Sequence, residues 1–250
     1  MRLDKVLAAR TAKTVYRDGD YAVKVFNEGY SKADVLNEAH NHALVEETAL
    51  DVPQIEALGM IEGKWAIVMD YIPGPTLARL MREHPENKQA YIGMMTELQM
   101  RMHAQTAPKL NYLRDKMSRK LTEARISPAM RYELQVRLDS LPAHTKVCHG
   151  DFQPSNIIIR EGDGVPFIID WSHATQGNAS ADAARTYLLF NLEGDFDSAE
   201  IYLKLFSQKS GASIKYVKKW LPIVAASQSV KGKPAEREFL MHWIDVVEYE

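Results

Sequence analysis

Residues 148–159 read Cys148-His149-Gly150-Asp151-Phe152-Gln153-Pro154-Ser155-Asn156-Ile157-Ile158-Ile159, and this stretch decides the fold. An acidic residue, Asp151, and an amide five positions later, Asn156, stand directly before a short β-branched run. Glu161-Gly162-Asp163-Gly164 supplies a turn, and Phe167-Ile168-Ile169-Asp170-Trp171 reads as the return strand. Pairing these strands carries Asp170 back towards Asn156 and Asp151, so three oxygen donors meet at one end of a buried hairpin. Magnesium prefers hard oxygen ligands and keeps waters and phosphate oxygens in its shell, so an Asn and an Asp can hold it. A second Asp, off the metal, can orient a hydroxyl. Metal neutralisation and positioning of an attacking oxygen are the parts that phosphoryl transfer needs. The same residues also read as a plain turn with an Asx cap.

Upstream of this hairpin the chain alternates in a β pattern. Val6 to Ala9 is a short apolar run, and Thr14 to Arg17 and Tyr21 to Phe26 flank the turn signal Asp18-Gly19-Asp20. Ser31 is placed to cap a helix carrying Val35, Leu36, Ala39 and Ala43 at helical spacing. Ile55 to Ile61 and Trp65 to Met69 flank Glu62-Gly63 and predict a second hairpin. Ile72-Pro73-Gly74-Pro75 suits an extended connector. Beyond it the periodicity turns helical, over about 110–140, 179–192, 196–208 and 213–228, with a stripe Tyr91, Met94, Met95, Leu98, Met102 that reads as core.

The chain has 250 residues, 46% hydrophobic and 26% charged, with a formal net charge of −2. That balance argues against a coat for nucleic acid or an anionic membrane surface. The single cysteine, Cys148, excludes a disulfide framework within the chain and reads as a small buried hydrophobe. No apolar run reaches bilayer-spanning length, and the first ten residues lack a signal-peptide core. The expectation is a cytoplasmic protein with no nucleic-acid, membrane or obligate protein partner.

The segment around Asp151, Asn156 and Asp170 resembles the catalytic loop and metal-binding turn of the aminoglycoside phosphotransferase/choline kinase family, relatives of the eukaryotic-like protein kinases. The Asp-x-x-x-x-Asn spacing matches the kinase catalytic loop. The resemblance implies Asp151 as catalytic base, with Asn156 and Asp170 as magnesium ligands. It extends upstream in order. Ala22-Val23-Lys24-Val25 resembles the strand of the phosphate-binding lysine, with Lys24 in that role. Glu38 lies in the next helix as the lysine's partner. Val68-Met69-Asp70-Tyr71-Ile72-Pro73-Gly74 resembles the hinge, implying that the Asp70 carbonyl and the Ile72 amide hold adenine. Asp182 matches an aspartate that braces the catalytic loop.

The implied fold is α+β, two-lobed and protein-kinase-like. Residues 1–72 form a mostly antiparallel nucleotide-binding lobe with one helix and the hinge, and residues 73–250 form a mainly helical lobe carrying the catalytic hairpin. The implied cofactors are ATP and Mg²⁺. The implied activity is transfer of the γ-phosphoryl group to a hydroxyl of a small molecule: an aminoglycoside, an amino alcohol such as choline, or a sugar-like compound.

One departure is marked. Arg10-Thr11-Ala12-Lys13-Thr14 occupies the nucleotide-loop position without a glycine, leaving Thr11, Thr14 and backbone amides as candidate phosphate contacts. A protein kinase is an alternative, opposed by Gln153, where a lysine is typical, and by only 12 positions between Asp170 and Asp182. A nucleotide-binding scaffold without catalysis is another, supported only by the missing glycines.

Other residues have blander readings. Lys24 also fits a solvated strand lysine and Glu38 a surface helix residue. His149 reads as structural. His40 and His42, at i and i+2, do not share a helix face and read as surface residues. Lys109, Arg114, Lys116, Arg119 and Lys120 read as a solvated helix face. Glu193, Asp195 and Asp197 read either as a loop that attracts a cationic acceptor or as an ordinary acidic surface.

Overall fold

The structure, a computed structural model, describes residue 3 and residues 5–245. It falls into two compact units, one running to Leu80 and including Pro154–His173, the other comprising Met81–Gln153 and the chain from Ala174.

The first unit is a five-stranded antiparallel sheet with one helix. Strands β1 (Lys5–Ala9), β2 (Lys13–Asp18), β3 (Tyr21–Phe26), β4 (Ile55–Ile61) and β5 (Lys64–Asp70) lie in the order β1-β2-β3-β5-β4. The β2–β3 turn is as tight as Asp18-Gly19-Asp20 predicts: Asp18 pairs with Tyr21, and Gly19 takes φ 62°. That register follows down the hairpin and sets Val15 opposite Lys24 and Lys13 opposite Phe26. Side chains alternate faces along a strand. Val23, Val25, Ala66 and Val68 therefore pack together on one side. Phe26, Ile67 and Met69 form a cluster with Val35 and Ala39 of helix α1 (Lys32–Glu46). Ser31 caps that helix by accepting from the Asp34 N–H at 3.0 Å. Burying each large side chain of this cluster contributes about 1.5–3 kcal/mol.

Backbone bonds stitch the hairpin Ile157–Ile159/Pro166–Ile168 to this unit: Ile159 N–H to Pro75 O (3.0 Å), Glu161 N–H to Pro73 O (2.8 Å) and Ile168 N–H to Asp51 O (3.1 Å). The sequence reading assigns the hairpin to the helical lobe; by contacts it groups with the sheet, and these bonds are the reason. The Pro73-Gly74-Pro75 segment is thus a pairing edge as well as a connector. Gly74 has φ 146°, and a Cβ there would collide with the Ile159 carbonyl.

The second unit is helical. After α2 (Leu77–Glu83), which begins in the first unit, it comprises α3 (Lys88–His103), α4 (Leu113–Glu123), α5 (Pro128–Ser140), α6 (Ala179–Leu192), α7 (Phe196–Ser210), α8 (Ile214–Lys218), α9 (Leu221–Ser229) and α10 (Arg237–Ile244). Helix α6 is buried along nearly its whole length, with α7, α8 and α9 packed on it. The single helical pattern expected over about 110–140 is two helices, because Ser127 caps a new one and Pro128 begins it. The pattern over 213–228 is likewise split, with Pro222 in the first turn of α9.

Burial corrects several expectations. On α3 the buried face is Ile92, Met95, Leu98 and Met102 with Thr96, Gln99 and His103, whereas Met94 is exposed. His42 is not a surface residue. It is buried, with Nε2 2.6 Å from the Pro53 carbonyl, while His40 is exposed. Cys148 is buried, as expected. Among the described residues no helix is long and apolar enough to cross a membrane.

Candidate active site

In the first unit, Lys24 and Glu38 meet as expected. The Lys24 ammonium lies 2.5 Å from Glu38 Oε1 and 3.4 Å from Asp170 Oδ1, and both Lys24 and Glu38 are almost completely buried. Burial alone would lower the Lys24 pKa, but the Asp170 and Glu38 carboxylates outweigh it and raise the pKa above the ordinary lysine range. This is therefore an ammonium at any physiological pH, and neither Lys24 nor Glu38 is a solvated surface group.

A second cation joins them. Lys13 Nζ is 2.9 Å from Asp170 Oδ1 and 3.5 Å from Glu38 Oε1. Two ammonium groups thus balance two carboxylates, and Glu38 keeps one buried oxygen, Oε2, without a partner among the described residues. Sequence reasoning passed over Lys13. The hairpin register held the signal: with Val15 opposite Lys24, Lys13 and Lys24 share a face.

Asp170 stands just past the end of the hairpin with φ 66°, an unusual conformation for a non-glycine residue. Its Oδ1 also accepts from Ser172 Oγ at 3.2 Å. Asn156 is buried at the matching end of the other strand, and its carbonyl accepts from the Ile169 N–H at 3.0 Å, so the pairing sets Asn156 beside the residue preceding Asp170. The donor set is one carboxylate and one amide. Among the described residues there is no cluster of three His, Cys, Asp or Glu side chains suited to a metal. A sparse, all-oxygen set suits Mg²⁺, which takes few protein ligands and fills its shell with water and phosphate, and it does not suit a structural zinc.

The hinge candidates lie at the end of β5. Asp70 pairs its N–H with Gln54 O (3.0 Å), and its Oδ2 accepts from the Gln54 N–H (3.1 Å). Tyr71 N–H donates to Asp20 O at 2.8 Å, while the Ile72 N–H has no backbone acceptor among the described residues. Thr11 lies in the β1–β2 turn, which the Arg10 N–H to Lys13 O bond closes, and its carbonyl accepts from Asn27 Nδ2 at 2.7 Å. Thr14 pairs with Val25 and shares that residue's face, opposite to Lys24.

In the second unit, Asp151 is held from three sides. Its N–H donates to His149 Nδ1 (3.2 Å), Gln153 Nε2 donates to its Oδ2 (3.0 Å), and the Arg185 guanidinium lies 3.5 Å from its Oδ1. His149 is fully buried, in the structural role expected. Asp182, buried in the first turn of α6, accepts from the Gly150 N–H (2.7 Å), His103 Nε2 (3.0 Å) and Gln99 Nε2 (3.2 Å). Burial pushes its pKa up, but His103, the Gly150 N–H and His149 together hold it below the usual carboxylate range. Thr186 Oγ1 donates to Phe152 O at 2.8 Å, so α6 fixes the loop on both sides of Asp151.

Arg185 and His103 were not among the sequence candidates. Arg185 lies one helical turn beyond Asp182 on α6, a spacing that would have flagged it. The basic face expected on α4 also needs correcting. Burial, and then the nearby Arg185 cation, lower the Lys116 pKa to about 7. Asp195 caps α7 through Ser198 and pairs with Lys88 Nζ at 3.1 Å, so it is not a free acid for attracting a cation.

Comparison with known protein families matches residues 4–212 to the family described as the phosphotransferase enzyme family. The chain belongs to that family. The fold agrees: a thermostable mutant of aminoglycoside phosphotransferase APH(4)-Ia, solved as a ternary complex with AMP-PNP and hygromycin B, is similar at TM-score 0.70 and 16% identity over 96% of this chain and 91% of that one. Choline kinase LicA from Streptococcus pneumoniae is similar at TM-score 0.65 and 17% identity over 96% and 87%. A search of curated protein sequences finds no match. As a phosphotransferase with the protein-kinase-like fold, the chain is a small-molecule kinase by family, and the family match stops before α8, α9 and α10.

Proposed function

We propose that this phosphotransferase moves the γ-phosphoryl group of ATP, with Mg²⁺, to a hydroxyl of a small molecule. The observation that carries the reading is the cluster of the buried Lys24 and Glu38 with the half-buried Asp170, and Lys13 as a fourth member. A buried ammonium held between carboxylates is pre-positioned for phosphate oxygens and loses little entropy on binding them. The Ile72 N–H and the Asp70 carbonyl meet the adenine, and Lys24, with Lys13, meets the phosphates. Asn156 and Asp170 hold Mg²⁺, which supplies charge neutralisation on the phosphates.

Asp151 accepts the acceptor's hydroxyl proton. The acceptor oxygen forms a bond to the γ-phosphorus as the bond from that phosphorus to the β,γ-bridging oxygen breaks, and ADP leaves with that electron pair. Arg185 and Gln153 hold the Asp151 carboxylate in one orientation. Positioning and electrostatics supply most of the rate enhancement.

The test is Mg²⁺-dependent, acceptor-dependent ADP formation, compared with Asp151→Ala. Loss of about 10²–10⁴ in kcat on that substitution is expected for removal of a general base. An enzyme that binds ATP but makes no ADP with any acceptor would be a scaffold, and the reading would fail.

A further inference from the structure

The second unit contains a cavity of about 360 Å³ between the end of α4, the α9–α10 connection and α10, lined by Arg125, Lys233 and Arg237 with Glu123, Ser229 and Gly232. Its charges do not cancel. Glu123 is paired with Lys120 at 2.6 Å. Glu236, beside the cavity, is paired with Lys233 at 2.7 Å and accepts from Gln228 Nε2 at 2.6 Å. Arg125 and Arg237 have no ion-pair or hydrogen-bond partner for their guanidinium groups among the described residues. Among the described residues these carboxylates are engaged and the two guanidinium forks are not.

The same segment reaches the catalytic aspartate electrostatically. Lys231, two residues before Lys233, lies in the field of both Arg185 and Asp151, and Glu236 lies in the field of Arg185. Arg185 is itself buried against Asp151. Arg185 and Lys231 thus bring positive charge near Asp151, alongside the carboxylates of Glu236 and Asp182, and of Glu193, Asp195 and Asp197, the three acids weighed as attractors of a cation, Asp195 is engaged by Lys88.

We infer that this cavity binds an anionic group, a carboxylate or a phosphate, carried by the hydroxylated acceptor. The inference rests on the phosphotransferase reading for the word acceptor. Guanidinium groups bind carboxylate and phosphate as planar forks, and unpaired ones beside a cavity gain most from such a ligand. The cavity is at the small end of the range for ligand sites, which fits a small metabolite better than an oligosaccharide. Its α9 and α10 walls lie outside the residues matched to the family.

The experiment uses four matched probes: glycerol, glyceric acid, glycerol 3-phosphate and choline. Binding to the full chain is measured calorimetrically with Mg²⁺ and a non-hydrolysable ATP analogue, and turnover is measured separately with ATP. At least one anionic probe is expected to bind with a dissociation constant under about 10 mM and more tightly than glycerol or choline. The carboxylate and phosphate probes decide which anion is preferred. The double variant Arg125→Gln/Arg237→Gln is expected to weaken that probe about tenfold or more, leave the nucleotide affinity within about twofold, and respond less to added salt. Choline binding more tightly than both anions overturns the inference, as does an anion affinity unchanged in the double variant or no anionic probe binding at all. Anion binding lost in the double variant, but with no phosphoryl transfer to any acceptor, would keep the site and overturn the phosphotransferase reading instead.

Discussion

Lys13 Nζ lies 2.9 Å from Asp170 Oδ1, an ion pair between strand β2 and the residue just past the Ile157–Ile159/Pro166–Ile168 hairpin, 157 positions apart in the chain. It makes Lys13 a second ammonium beside Lys24, in a unit whose segment 10–14 carries no glycine. Replacing Lys13 by Met is expected to raise KM for ATP about tenfold, the scale of one charge-assisted contact to phosphate. Adenosine, which has no phosphates, should bind as to the wild type. Calorimetry with both ligands checks this. Equal weakening of the two would assign Lys13 to the fold rather than to the nucleotide.

Asp170→Asn removes a carboxylate from the proposed magnesium shell and leaves Lys13 and Lys24 facing Glu38 alone. A fall in kcat of about a hundredfold or more at saturating Mg²⁺ is expected, corresponding to about 2.7 kcal/mol or more of barrier. Activity within about threefold of wild type, only about 0.65 kcal/mol, would remove Asp170 from the role.

Asp182→Asn tests the brace under the loop that carries Asp151. Asp182 is buried and accepts from Gly150, His103 and Gln99, so the substitution should destabilise the protein by about 3 kcal/mol, on the scale of breaking a buried charged pair. Its folded pKa is below its unfolded value, so its contribution is fully present above the unfolded pKa of about 3.9 and is lost as pH falls through the lower folded value. Denaturant unfolding between pH 7 and pH 3 should therefore show a shallower acid loss in Asp182→Asn than in wild type. Parallel curves would mean the carboxylate carries no special stability.

Lys116→Met probes the lysine of α4 whose pKa is brought down to about 7 by burial and by Arg185. Between that value and the unfolded value of about 10.4, the unfolded chain holds a proton that the folded chain gives up. Wild-type stability should therefore gain from this group as pH rises from 7 to 10, with a slope of at most about 1.4 kcal/mol per pH unit. The Met variant lacks that slope, so it should be more stabilised relative to wild type at pH 6 than at pH 9. The reverse order in urea midpoints would contradict the lowered pKa.

Much of this molecule was legible beforehand because its signals are local. Asp18-Gly19-Asp20 and Glu62-Gly63 set two hairpins to within a residue, Ser31 and Ser127 start helices through their own side chains, and the Asp151 to Asn156 spacing survives as a loop entering a strand. Less legible were properties that depend on which face of an element is covered. Met94 and Met95 are neighbours of the same type on α3, yet one is exposed and the other buried, because α3 buries the face that includes Thr96 and Gln99. His42 is buried because Pro53 offers its ring a carbonyl, which no spacing rule within α1 reveals.

The amino-acid sequence by itself determined the strands, turns and caps of the first unit and the hairpin after Asn156, and its resemblance to the family singled out Lys24, Glu38, Asp151, Asn156 and Asp170 as candidates. The elements depend on alternation, turn chemistry and capping over a few residues, and the candidates on the motifs that carry the resemblance and their order along the chain. Only the tertiary structure decided the partners of those charges: Lys13 with Asp170, Arg185 with Asp151, His103 with Asp182, and the placing of Arg125 and Arg237 beside a cavity. An ion pair between distant positions depends on how the elements carrying them pack. Burial then sets its strength, because a charge removed from water must find its compensation among whatever neighbours the packing provides.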